Sequence, residues 1–208
     1  MSDNLSSHSP EPHGRTGAGI QAGPQWLAVA IPGYLAGTWK ADPVHSEVGF
    51  SVRHLMVGKV RGRFTGYDVT IVTGEDPLSS SVTATIDLAS IDTGYERRDA
   101  YLRSIDYFEV DKHPTMSYRS TGVRRAVDEW LVDGELTLHG VTRQVPLAVE
   151  VGGFGPDPFG GQRAGFSATA QINRRDFGVD HIIPMDGGGV VVGDVILISL
   201  EIQAVLEK

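Results

Sequence analysis

Along residues 45–64, HSEVGFSVRHLMVGKVRGRF, apolar and polar side chains alternate with a period of two. Even positions carry Val48, Phe50, Val52, His54, Met56, Val60 and Phe64, whereas odd positions carry Glu47, Gly49, Ser51, Arg53, Lys59, Arg61 and Arg63. A strand with one face in the core and the other in water has this period. Val57-Gly58-Lys59 interrupts it, and Gly58 supplies a backbone angle closed to other residues, so the stretch reads as a β-hairpin. The inner face is apolar except for His54, and the outer face is basic. At Gly66 the parity flips, and Tyr67, Val69 and Ile71 become the apolar set. A one-residue slip at glycine is how a β-bulge looks in sequence, and bulges bend strands so that a sheet can close.

The same alternation recurs downstream. Residues 39–42 read as a short strand stopped by Pro43, and 80–91 as a strand with Val82, Ala84, Ile86 and Leu88 on one face. Further strands follow at 115–123, at 129–140 with Trp130, Val132, Leu136 and Leu138 aligned, and at 145–151. GGFGPDPFGG at 152–161 reads as a loop before GFSATAQIN at 165–173, where Phe166, Ala168, Ala170 and Ile172 alternate. The last strand, 194–206, buries Ile196, Ile198, Leu200, Ile202 and Ala204. Two stretches break the pattern. Residues 94–114 place Leu102, Ile105 and Phe108 at helical spacing before Pro114, which predicts a short helix, in one or two pieces, across one end of the sheet. Residues 174–193 form a long connection of the kind that serves as a lid or tucked flap.

Eight or nine alternating strands with one helical interruption predict an all-β fold. Long alternating strands need their edges paired, which favours a closed antiparallel barrel. A barrel of about eight strands can hold one small ligand inside, and alternation alone does not separate that from a filled core; with Val, Ile, Leu, Phe and Met at the inward positions, such a ligand would be apolar. Residues 1–34 are expected to be a largely flexible N-terminal extension and 35–208 the barrel. Within 26–37, the apolar WLAVAIPGYLAG either closes one end of the core or packs on a second subunit.

Composition narrows the function. The net charge of −8 argues against non-specific nucleic-acid binding. No 18-residue apolar run exists, so no membrane insertion is expected. The polar N-terminus lacks the apolar segment of a signal peptide, which predicts a cytoplasmic protein. The absence of cysteine excludes thiolate metal sites, and His45, His54, His113, His139 and His181 show neither HxH nor HExxH spacing. No metal or other cofactor is expected. There is no G-x-S-x-G elbow, and His45 and Ser46 point to opposite strand faces, so no catalytic residue is assigned.

Several pieces in order resemble the YceI-like family of bacterial lipocalin-like polyisoprenoid-binding proteins. They are WKADPVHS (39–46), FSVRHLMVGKVRGRF (50–64), IDT (91–93), RDAYLRS (98–104), Phe108, PTM (114–116), GELTLHGVT (134–142) and NRRDFG (173–178). The resemblance implies an all-β, extended eight-stranded antiparallel lipocalin-like barrel with a short helical insertion, around a long apolar tunnel that holds an isoprenoid or other long-chain lipid, in a homodimer. Where the family often has His two residues after the Arg-Asp pair, this chain has Tyr101. The expected ligand contacts are Phe50, Val52, His54, Met56, Val60, Phe64, Ile86, Leu88, Leu136, Leu138 and Phe166. Leu102 and Phe108 from the helix and Phe177 from the late loop are expected to cap the mouth. Two alternatives stay open. One is an enzyme using His54 with Arg98 or Asp99 in the same cavity; the other is a filled barrel acting through protein partners.

Overall fold

The computed structural model describes residues 31–127, 129–181 and 191–207. Among these residues twelve strands are present: β1 Gly37–Ala41, β2 Glu47–His54, β3 Gly58–Phe64, β4 Tyr67–Thr73, β5 Ser81–Asp87 and β6 Ile91–Asp92. The remainder are β7 Thr115–Arg125, β8 Trp130–Leu138, β9 Val141–Gln144, β10 Leu147–Pro156, β11 Gln162–Asn173 and β12 Val192–Leu206. One α-helix among the described residues, α1 Glu96–Arg103, interrupts them.

Several strands are halves of one bent strand. β1 and β2 both pair with β12, β3 and β4 pair with β2 and β1, and β9 and β10 both pair with β8. Joined in this way, and with β6 continuing β5, the strands form a closed eight-strand antiparallel barrel in which each strand neighbours the next in sequence. The ring closes through Trp39↔Leu206 and Ala41↔Ala204. Closure leaves no long unpaired edge, as the alternation required.

The bulge at Gly66 lies between β3 and β4: Phe64 faces inward before it, Val69 and Ile71 after it. Two further bulges lack a comparable signal. Register shifts between Ser120 and Gly122 on β7 and between Val151 and Gly153 on β10 move the inward set from Tyr118 to Val123 and from Val151 to Phe154. The second lies in the stretch expected to be a loop; β10 instead runs on to Pro156, with Gly153 at φ 135° absorbing the kink.

The hairpin turn also differs from expectation. Leu55 and Met56 take the left-handed angles, at φ 49° and 60°, and Gly58 pairs with His54 as the first residue of β3. Met56 is therefore exposed at the turn and does not face inward. Leu88 also leaves the inward face, because Asp87 caps a short 3-10 turn at Leu88–Ser90 that carries Leu88 fully into the packed core. The helical period stops at Arg103, and Ile105 is exposed in the turns that follow.

Both ends of the barrel are tied down. At one end, Trp39 is fully buried, its Nε1 donates to Thr73 Oγ1 at 2.8 Å, and that hydroxyl donates to Leu35 O at 2.7 Å. Nearby, Arg163 donates to Asp42 at 2.8 Å and Asp157 at 2.6 Å, joining the β1–β2 loop to the β10–β11 turn. The Arg163 guanidinium, with His45 second, holds the Asp42 carboxyl well below the usual carboxylate range. At the other end, the buried Arg174 donates to the carbonyls of Val179, His181 and Gly193 and to Asp194 at 2.9 Å. Of the 26–37 segment, 26–30 lie outside the described residues, as do 182–190 of the long connection.

Candidate functional site

Because strand side chains alternate, each of the eight strands sends every second residue inward. Here those side chains do not meet: they enclose a cavity of about 600 Å³, within the range of small-molecule sites. Of the predicted contacts, Phe50, Val52, His54, Val60, Phe64 and Ile86 line it. Leu102, Phe108, Leu136, Leu138 and Phe166 line it as well. Met56 and Leu88 do not, for the reasons given above. Phe177 is also absent from the lining: it is 1% exposed, within the 3-10 turn Arg174–Phe177, and packs in the core as an anchor for that turn.

The lining is uniform along the middle and differs at the ends. At the β1 end it consists of Ile31, Tyr34 and Phe154 with Pro77, Ser80 and Ser81. Tyr34 is fixed there by a 2.7 Å hydrogen bond to Gly74 O and by edge-on contact with Phe154 at 5.2 Å. Aromatic rings lead toward the helix end: Phe50 to Phe64 at 5.6 Å, Phe64 to Phe108 at 6.5 Å, then Tyr107 at 5.2 Å and Tyr101 at 6.2 Å.

At the helix end the lining becomes polar, with His54, Thr93, Arg97, Arg98, Tyr101 and Arg174 among its members. Thr93, Arg98 and Arg174 already have partners. Arg98 donates through Nε to Thr93 Oγ1 at 2.7 Å and through a terminal nitrogen to Thr93 O at 2.8 Å. Asp99 is buried and accepts from Thr93 N at 3.0 Å and from the Thr93 hydroxyl. The Arg-Asp pair thus shapes the turn into α1 through a single threonine. Tyr101 differs: its Oη is buried and has no hydrogen-bond partner among the described residues. Burial raises the hydroxyl pKa of Tyr101 and of Tyr107, so both present O–H donors.

Tyr34, Tyr107, Phe154 and Arg174 were not anticipated. Arg174 had a signal, since it continues the even parity of Phe166 and Ile172 and so faces inward. Phe154 had none, because the bulge that turns it inward leaves the alternation unreadable.

A family profile described as the YceI-like domain matches residues 39–204. The chain is 39% identical over 166 residues to the UPF0312 protein plu2095 of Photorhabdus laumondii, covering 78% of this chain and 85% of that one. It is 39% identical over 136 residues to Protein YceI of Escherichia coli O157:H7, covering 65% and 71%. Among solved structures, the Campylobacter jejuni YCEI protein superimposes with a TM-score of 0.65 at 27% identity, over 80% of this chain and 96% of that one. Burkholderia cenocepacia BcnA gives 0.68 at 22%, over 78% and 98%. A polyisoprenoid binding domain from Saccharophagus degradans gives 0.58 at 16%, over 83% and 100%, a likeness of fold. The closed eight-strand barrel, its apolar interior and these relatives place the chain in the YceI-like family.

Proposed function

We propose that this protein is a non-enzymatic binding protein that holds a long apolar molecule, an isoprenoid or similar lipid, along the barrel interior. The observation that carries the reading is the cavity itself: about 600 Å³, lined from all eight strands almost wholly by hydrocarbon. Every 100 Å² of ligand surface moved from water into that lining contributes about 2.5 kcal/mol, so a chain of several isoprene units needs few polar contacts. The same fold in Saccharophagus degradans is that of a polyisoprenoid binding domain.

The ligand's polar end lies toward α1, where the lining changes from hydrocarbon to arginine, histidine and tyrosine, and the Tyr101 hydroxyl there has no partner among the described residues. The enzyme alternative gains no support from Arg98 and Asp99, whose functional groups are occupied by Thr93. A filled barrel acting through partners does not account for the enclosed space.

The test is native mass spectrometry of the purified protein, followed by organic extraction and added polyprenols and fatty amides. A stoichiometric lipid, co-purified or added, is expected. Failure of the purified protein to carry or take up any of them would overturn the reading.

A further inference from the structure

We propose that Glu109, His113 and His139 form a binding site for one divalent transition-metal ion of the zinc class. The three residues come from two turns far apart in the chain, yet one ligand atom from each lies within 4.8 Å of the others. His139 Nε2 is 3.6 Å from Glu109 Oε2, and the His113 and His139 rings sit edge to face with centroids 4.7 Å apart. The histidine spacings scanned in the sequence could not reveal this site, because local motifs report ligands on one element and these converge through the fold.

The local backbone is built around these side chains. Glu109 N–H donates to Ser104 O at 2.8 Å, and Glu109 O accepts from Lys112 and His113 at 2.9 Å. That turn projects Glu109 and His113 toward the same side. His139 occupies the tip of the β8–β9 hairpin, between the paired Leu138 and Val141, and both His139 and Gly140 are left-handed. Asn-Gly is the least costly sequence for such a turn, and Gly or Asn the least costly residue where Glu109 stands at φ 51°. Of the four non-glycine residues with positive φ among those described, two are Glu109 and His139. Left-handed side-chain-bearing residues cost free energy and concentrate at functional sites.

The donor set selects the ion. Two imidazole nitrogens and one carboxylate suit zinc, and also nickel or copper, with water in the remaining position. All three residues are half-buried, which leaves that position open to solvent. Zinc bonds of about 2.0–2.1 Å hold donors closer together than 4.8 Å, so the side chains must close on the ion. The competing cation is Lys112, 3.6 Å from Glu109 Oε2 on a largely exposed side chain that can swing away. The ion would fasten the segment bearing Tyr107 and Phe108, both in the cavity lining, to the β8–β9 hairpin. The site is independent of what the cavity binds.

Full-length protein stripped with chelator is titrated with zinc chloride by calorimetry, with stoichiometry checked by elemental mass spectrometry and melting followed by circular dichroism. Wild type is expected to bind one high-affinity zinc per chain and to melt several degrees higher when loaded. Loss of outer-shell partners alone weakens metal sites about 10- to 100-fold, so loss of a ligand is expected to cost at least tenfold. The variants are His113→Ala, His139→Asn, which keeps the turn, and Glu109→Gln, which keeps the side-chain shape. Absence of a wild-type zinc site, or a site of unchanged affinity in folded His139→Asn and Glu109→Gln, would overturn the proposal.

Discussion

Tyr101 carries an energetic debt wherever its hydroxyl stays unpaired. Its hydroxyl is buried, stays protonated because burial raises its pKa, and has no partner among the described residues. An unsatisfied buried donor costs about 1–3 kcal/mol, whereas a ligand that accepts from it recovers that cost on binding. Tyr101→Phe is therefore expected to act with opposite signs on two measurements. Urea unfolding of the lipid-free variant should show a gain of about 1 kcal/mol. Displacement titrations should show about fivefold weaker binding of a polyprenol, and unchanged binding of a hydrocarbon of equal length. Equal losses for alcohol and hydrocarbon would mean that Tyr101 only shapes the wall.

Among the elements, the β2–β3 hairpin separates what packing demands from what the turn demands. Leu55 and Met56 occupy left-handed positions at its tip, and Met56 is more than half exposed. A side chain held left-handed costs about 1–2 kcal/mol, offset in glycine by roughly 0.5–1 kcal/mol of lost chain entropy. Met56→Gly should thus raise stability by up to about 1 kcal/mol in thermal or urea melts while leaving lipid uptake untouched. Reduced uptake would show that Met56 reaches the ligand after all. Placing Met56 inside followed from its even parity, and this marks where alternation stops being informative. Strand faces were readable wherever the backbone stayed extended: Val48 through His54, Trp130 through Leu138 and Ile196 through Ala204 alternate as they pack. Position failed at turns and 3-10 caps, where Met56, Leu88 and Phe177 keep an apolar side chain but lose the period. The polar end was only partly legible. Tyr101 stood out as a departure from its relatives, but its unpaired hydroxyl depends on Tyr107, His181 and Arg174, which no local pattern brings together.

For the whole molecule, the open question is whether the barrel needs its cavity. Close-packed interiors are the rule, and lining atoms that face empty space forfeit dispersion contacts. An unfilled interior of about 600 Å³ therefore stands against the stability of the ligand-free barrel. Adding a ring where the wall is small tests this directly. Ala84 lines the cavity from β5, paired with Val69 on β4 and Tyr118 on β7. In a solid core Ala84→Phe would overpack and cost about 1–3 kcal/mol. In this barrel the new ring enters open space, so unfolding should show unchanged or higher stability, while uptake of added polyprenol falls sharply because the bore is blocked. A folded variant with wild-type uptake would place the ligand elsewhere, and a strongly destabilised one would mean that the interior is already full. The expected pair, stability kept and binding lost, follows only if the space along the axis exists to be occupied.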